Sequence, residues 1–235
     1  MSLYAVLSEK GNVRSSNEDS CGVRELDGGF LMAIADGIGG EKGGKEAGQI
    51  AVDGILSSVP GDIAGYDEER LQAFFDRAFV DINRKILLFA LNDLRLAGMG
   101  TTLTVALVTG NKLFVAHMGD TRAYLIHRSS ITRLTHDHAS ETKSDDGSSV
   151  SRRLLRSLGE NEYLKPDFYV YNIIYGDMIL LSSDGIHAYL TDDEIVKCLK
   201  ERGHPDRCLK RLIEASLEAG SDDNATALLY KAEPK

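Results

Sequence analysis

Four aspartates stand where apolar runs end. Asp36 follows FLMAIA, Asp120 follows LFVAHMG, Asp184 follows MILLSS, and Asp223 lies just before NATALLY. Asp36 and Asp184 are each followed by glycine, which lets another stretch of backbone approach closely. Carboxylates gathered in one place repel one another unless protons or cations intervene. Clustered oxygen donors suit hard divalent ions, chiefly Mg²⁺ or Mn²⁺. Taken singly, an Asp-Gly reads first as a turn. Periodicity does not show that the four strand ends meet in space.

The first of these aspartates opens a glycine-rich string, IADGIGGEKGGKE, in which Gly39 to Lys45 reads G-x-x-x-x-G-K. That is most of a phosphate-cradling P-loop, and MILLSSD would serve as its Mg²⁺-binding strand. Glu46 stands where a P-loop needs Ser or Thr. A nucleotide-binding protein therefore remains an alternative at this point.

The elements that must carry these residues are legible in outline. Apolar runs near 3–7, 30–35, 102–108, 112–118, 122–127, 168–174, 178–183 and 225–230 read as strands. The block LTVALVTGNKLFVAHMGDTRAYLIHRSSITRL holds three of them, broken at Gly110-Asn111 and Gly119-Asp120. Connections that short exclude parallel pairing, so the block is read as one antiparallel meander. A P-loop fold, with alternating strands and helices, does not have this pattern.

Helices are expected over about 43–57, 67–96, 191–200 and 205–219. The second carries Leu71, Phe74, Phe75, Ala78, Phe79, Ile82, Ile86 and Phe89 or Ala90 at helical spacing. Thr191 and Glu194 have capping-box spacing, Gly203 punctuates the last pair, and Pro205 suits a first turn. The stretch 140–149 is polar and aperiodic and reads as a surface loop.

The chain has 235 residues, 43% of them hydrophobic, and a formal charge of −9. That charge disfavours nonspecific nucleic-acid binding. No apolar run approaches the ~18 residues of a membrane helix, and the N-terminus reads as no signal peptide. Cys21, Cys198 and Cys208 form no C-x-x-C pair, which suits a reducing cytoplasm and buried thiols.

Eight motifs in order resemble those of the metal-dependent Ser/Thr protein phosphatases (the PPM, or type-2C, family) in their compact bacterial form. Arg14-Ser15-Ser16-Asn17-Glu18-Asp19 resembles R-x-x-N-E-D, and Asp36-Gly37-Ile38-Gly39-Gly40 resembles D-G-M-G-G. Gly100-Thr101-Thr102 resembles G-T-T. The segment Val115 to Leu125 resembles V-A-N-V-G-D-S-R-A-Y-L, and Leu134 to His138 resembles L-T-x-D-H. Leu155 to Gly159, Leu180 to Ile186, and Asp223 to Thr226 resemble L-R-A-L-G, L-L-C-S-D-G-L and D-N-I-T.

The resemblance implies an α+β fold: a four-layer α-β-β-α sandwich of two antiparallel sheets flanked by helices, with residues 1–235 as a single domain. It implies hydrolysis of phosphoserine and phosphothreonine in proteins by a hydroxide bridging two Mg²⁺ or Mn²⁺ ions. Asp36 would bridge the ions, the Gly37 carbonyl would bind one, and Asp184 and Asp223 would hold the other. Glu18 would act through water, supported by Asp19. Asp120, with Asp184, would match a third-metal site, and Arg14 would bind the substrate phosphate. The expected partner is a phosphorylated protein, a Ser/Thr kinase or its target, met in the cytoplasm by a monomer, with neither nucleic acid nor membrane involved.

The chain departs from the family in three places. Ile38 occupies a position where eukaryotic relatives carry a proton-donating histidine; His117 and His187 are the alternative acids. The flap around 138–155 is short. Lys45 replaces a common acidic residue. A catalytically silent sensor or adaptor is the alternative from another functional class, and the retained Arg14, Asp36, Asp184 and Asp223 argue against it.

Overall fold

The structure is a computed structural model that describes residues 4–63, 65–143, 150–160, 165–200 and 204–232. The chain runs through β1 (Tyr4–Glu9), β2 (Ser20–Leu26), β3 (Gly29–Ala35) and β4 (Gly37–Ile38) into α1 (Gly40–Ser58) and α2 (Glu68–Leu91). A 3-10 turn, Leu94–Leu96, leads to β5 (Gly100–Thr101), β6 (Leu103–Thr109), β7 (Lys112–Met118), β8 (Arg122–His127) and β9 (Ser130–Arg133). Next come β10 (Ala139–Lys143), β11 (Val150–Leu154), β12 (Asp167–Asn172) and β13 (Met178–Ser182). Helices α3 (Asp184–His187), α4 (Asp192–Leu199) and α5 (Pro205–Glu218) precede the last strand, β14 (Ala225–Lys231).

Two five-stranded sheets result, β1-β14-β13-β8-β9 and β12-β7-β6-β3-β2, with neighbouring strands antiparallel throughout. Alternation along each strand divides the apolar residues between layers. In β3, Phe30, Met32 and Ile34 enter the core between the sheets, where they join Ile179, Leu181 and Leu228. The intervening Leu31, Ala33 and Ala35 pack under α1 and α2 with Phe75, Phe79 and Ile82. In the other sheet Leu180, Ala227 and Leu229 face α3–α5, against Ile186, Leu209 and Leu212. Strands buried on both faces explain the continuous apolar runs, and three stacked cores make the expected four-layer sandwich.

One expectation fails. The three-strand block is not a single meander: β6 pairs with β7, but β8 pairs with β13 and β9 in the opposite sheet. The chain changes sheets at Gly119-Asp120. Gly119 has φ +112, and a Cβ there would stand 2.5 Å from Thr102. Period-2 alternation reports that a residue is in a strand, not which sheet receives the strand.

Two boundaries also shift. The first helix begins at Gly40, not near 43, entered from Gly39 in the left-handed region. The second ends at Leu91, and Asp67 caps its start by accepting from Arg70 N. Thr191 and Glu194 form the expected capping box, and Pro205 sits in the first turn of α5. The stretch read as a loop is partly a hairpin, since Ala139–Lys143 pairs with Val150–Leu154; cross-strand pairing holds these polar residues, and a single sequence does not display it. Residues 144–149, residue 3 and Gly203 lie outside the described residues. None of the three cysteines is in a disulfide; Cys198 and Cys208 are buried and Cys21 is half-buried.

Candidate metal centre

Asp36 leaves β3 with its backbone fixed from both sides. Its N–H donates to Thr102 Oγ1 at 2.8 Å, and its carbonyl accepts from Thr102 N and Thr101 Oγ1, both at 2.9 Å. Beyond it, Gly37 pairs with Thr101 in the small β4–β5 ladder. The first turn of α1 presses onto this segment so closely that a Cβ on Gly37 would lie 2.2 Å from Gly44 O. A Cβ on Gly44 would lie 2.2 Å from Glu18 Oε2. The glycines therefore serve backbone-to-backbone contact and bring Glu18 beside Gly37. Lys45 and Glu46 are exposed on α1. With antiparallel sheets throughout, the P-loop alternative falls.

Asp184 begins α3 immediately after β13. Ser183 ties that strand end to β14: its N–H donates to Thr226 O at 3.0 Å, and its Oγ accepts from Thr226 N at 3.0 Å and donates to Asp19 Oδ2 at 2.8 Å. Gly185 meets Asn224 O, which a Cβ would approach to 2.0 Å. Asp223 accepts from Arg14 Nη2 at 2.6 Å. Asp120, 8% exposed, sits at the sheet crossing.

These carboxylates converge. Burial raises the Asp36 carboxyl well above its ordinary range, and the charges of Asp19, Asp184, Asp120 and Asp223 push it further. Asp19 is pushed up to about 6 by burial and by Asp223 and Glu18, against the hydrogen bonds of Thr226 and Ser183. Partial burial opposes charge on Arg14, but Asp223, Asp222 and Glu18 outweigh it and hold the guanidinium ionised. Among the described residues no group of three or more His, Cys, Asp or Glu side chains is gathered tightly enough to hold a metal ion as it stands. The carboxylates act on one another from separate strand ends without closing into a cage. The arrangement nonetheless fits divalent metal: an all-oxygen set whose mutual repulsion raises its central member is what a hard cation relieves.

Both candidate histidines are buried. His117 is fully buried. Its Nε2–H donates to His136 O at 3.0 Å, so Nδ1 accepts from Thr104 Oγ1 at 2.8 Å, and Thr121 Oγ1 donates to Thr104 Oγ1 at 2.7 Å. Burial, with His138 nearby, lowers its pKa to about 3. His187 is buried in α3 with Nδ1 2.9 Å from Ser182 Oγ. Ile38 cannot donate a proton.

The β10–β11 hairpin hangs from the same sheet crossing. His138 N donates to Gly119 O at 2.7 Å, and Gly119 N donates to His138 Nδ1 at 3.1 Å. Arg156 Nη1 donates to Asp167 Oδ1 at 2.8 Å at the hairpin's base. The partners that hold the acidic segments, Thr101, Thr102 and Ser183, fall inside the G-T-T and L-L-C-S-D-G-L resemblances, but the sequence does not show that they tether Asp36 and Asp19. Asp19 belongs with the central carboxylates more closely than its supporting part in R-x-x-N-E-D suggests.

Oxygen donors with a guanidinium at their rim have the chemistry that metal-dependent phosphoryl transfer calls for. The chain belongs to the protein phosphatase 2C family, whose model matches residues 11–222. It is 29% identical over 235 residues to the serine/threonine phosphatase stp of Listeria monocytogenes, covering 95% of this chain and 93% of that protein. It is 33% identical over 240 residues to the serine/threonine protein phosphatase PstP of Mycobacterium tuberculosis, covering 96% of this chain and 44% of that longer protein. The crystal structure of the PstP catalytic domain in complex with two manganese ions superposes with a TM-score of 0.82 at 30% identity, covering 98% of both chains. Staphylococcus aureus Stp1 gives 0.87 at 26% identity, covering all of this chain and 96% of that one.

Proposed function

We infer that the protein is a bacterial serine/threonine phosphatase that hydrolyses phosphoserine and phosphothreonine in proteins with Mg²⁺ or Mn²⁺ as cofactor. The observation that carries the reading is the convergence of Asp19, Asp120, Asp184 and Asp223 on the buried Asp36. A cleft with that much negative charge repels a phosphate dianion unless cations intervene. We assign Asp36, the Gly37 carbonyl, Asp184 and Asp223 to two core ions, Glu18 to contact through water, and Asp120 with Asp184 to a third. When bound, such ions supply Lewis acidity and activate water at neutral pH.

The chain's own groups do the rest. Arg14, held ionised, presents a planar fork that fits two phosphoryl oxygens. Water oxygen joins phosphorus, the bond to the seryl or threonyl oxygen breaks, and inorganic phosphate leaves. With Ile38 in place of a donor and His117 sealed in the core, the departing oxygen takes its proton from solvent. We further propose that residues 1–235 act as one domain, as a monomer in the cytoplasm, on a Ser/Thr kinase or its targets. Among the described residues no helix is long and apolar enough to cross a membrane.

The test is phosphate release from a phosphothreonine peptide with Mn²⁺ and then with excess EDTA, with ATP as a parallel substrate. Peptide turnover that needs Mn²⁺ and spares ATP is expected. Specific, Mn²⁺-dependent binding of phosphopeptide without any turnover would instead make the protein a silent sensor or adaptor.

A further inference from the structure

The Arg14 segment is held by little of its own. Residues 10–19 contribute no rung to either sheet among the described residues, yet ordering a loop costs roughly 1–2 kcal/mol per residue. The side chain of Arg14 is 52% exposed and reaches from this loop to Asp223. Its place is therefore set by whatever fixes the loop.

That anchor is Asn224, at the head of β14 and only 6% exposed. Its Oδ1 accepts from Glu18 N at 2.9 Å. Its Nδ2 donates to Lys10 O at 2.9 Å and to Ser16 O at 2.9 Å. One buried amide thus spends both donors and its acceptor on three backbone groups that bracket Arg14 before and after. Elsewhere in the loop Lys10 Nζ donates to Arg14 O at 2.7 Å, Asn17 Nδ2 donates to Ser8 Oγ at 2.9 Å, and Asp19 Oδ2 accepts from Ser183 Oγ at 2.8 Å. Gly11, at φ +77, lets the loop lie on Asp223, whose carbonyl a Cβ would approach to 2.4 Å. Only an amide supplies two donors and an acceptor at this reach; a carboxylate would face two carbonyls, and an aliphatic side chain would leave buried backbone groups unpaired.

We propose that Asn224 is a positioning residue that clamps the Arg14 loop, so that the guanidinium is preset for the substrate phosphate and Glu18 is held beside the metal centre. The proposal rests on the reading of Arg14 as the phosphate-binding residue. It makes the D-N pair at β14 a two-part device: Asp223 belongs to the acidic cluster, and the next residue fixes the cationic arm that leans on it.

The test compares Asn224→Ala and the near-isosteric Asn224→Asp, which keeps the acceptor for Glu18 N but loses both donors and so guards against an unfolded variant. Phosphopeptide KM and kcat are measured in each, in Arg14→Ala, and in the double variants, together with backbone hydrogen exchange. KM is expected to rise about tenfold in both Asn224 variants, the size of a lost buried hydrogen bond. That rise should vanish in the Arg14→Ala background, because the clamp acts through the arginine. Exchange should accelerate over residues 10–18 while β13 and β14 stay protected. Unchanged KM, a rise that simply adds to that of Arg14→Ala, or unaltered exchange at 10–18 overturns the clamp. An unchanged KM in Arg14→Ala alone overturns the phosphate reading itself, and faster exchange at 10–18 would then mark Asn224 as a purely structural anchor.

Discussion

The buried His117 makes the sheet crossing at Gly119-Asp120 acid-sensitive by a calculable amount. Its folded pKa of about 3 lies below the ordinary 6.5. The unfolded chain therefore binds a proton that the folded chain refuses, and stability falls as pH drops from 6.5 toward 3 and is complete above 6.5. At pH 5 the loss is about 2 kcal/mol, growing by about 1.4 for each further pH unit down to the folded value. For a chain of this size that corresponds to a Tm lower by about 4–8 °C at pH 5 than this one group would allow at pH 8. His117→Gln is the discriminating perturbation. The amide can donate to His136 O and accept from Thr104 Oγ1, as the neutral ring does, but it never ionises. Thermal unfolding in EDTA, wild type against variant at pH 8 and pH 5, isolates the histidine's contribution because other titrating groups cancel in the difference. The variant is expected to be slightly less stable at pH 8 and to lose about 2 kcal/mol less than wild type on going to pH 5. Parallel curves for the two proteins would refute the assignment of a neutral, Nε2-protonated ring.

Asp36→Asn tests the acidic cluster from the other direction. A raised carboxyl is a stabilising feature below the ordinary carboxylate range that is lost as pH rises through its folded pKa; in EDTA the asparagine variant should therefore be more stable than wild type at pH 8, with the gap closing toward pH 4. The same variant should lose turnover and the Mn²⁺-induced rise in Tm, which in wild type reflects a stabilisation of about 2.7 kcal/mol per ion at a hundredfold excess over Kd; a full Mn²⁺ shift in the variant would sink the metal assignment. Arg14→Ala should weaken phosphopeptide binding by about 1.5–3 kcal/mol, seen as a higher KM, and an unchanged KM would remove Arg14 from the phosphate site. Gly44→Ala places a methyl against Glu18 Oε2 and the Gly37 backbone, so Mn²⁺ affinity by calorimetry should fall while the far-ultraviolet circular dichroism stays native; undiminished affinity would show that the close packing there is incidental.

Much of the fold and of the site is legible in the amino-acid sequence alone. Continuous apolar runs mark strands buried on both faces, the Leu71 to Ile86 spacing marks α2, and Thr191 to Glu194 marks the start of α4, because each signal is local and set by backbone period or capping. Asp36, Asp120, Asp184 and Asp223 are recognisable as strand-end carboxylates for the same reason, and the motif order around them carries Arg14, Glu18 and the family resemblance. What periodicity does not encode is partnership. That β8 leaves β7 for the other sheet, that the polar residues beside 144–149 pair as a hairpin, and that His117 is buried all depend on contacts between segments distant in sequence. So does the union of the acids: residue types and spacing make a metal centre chemically reasonable, but only the stacking of two antiparallel sheets places the ends of β3 and β13, the head of β14 and the Gly119 crossing at one site, where shared burial and repulsion turn separate turn aspartates into one coupled group.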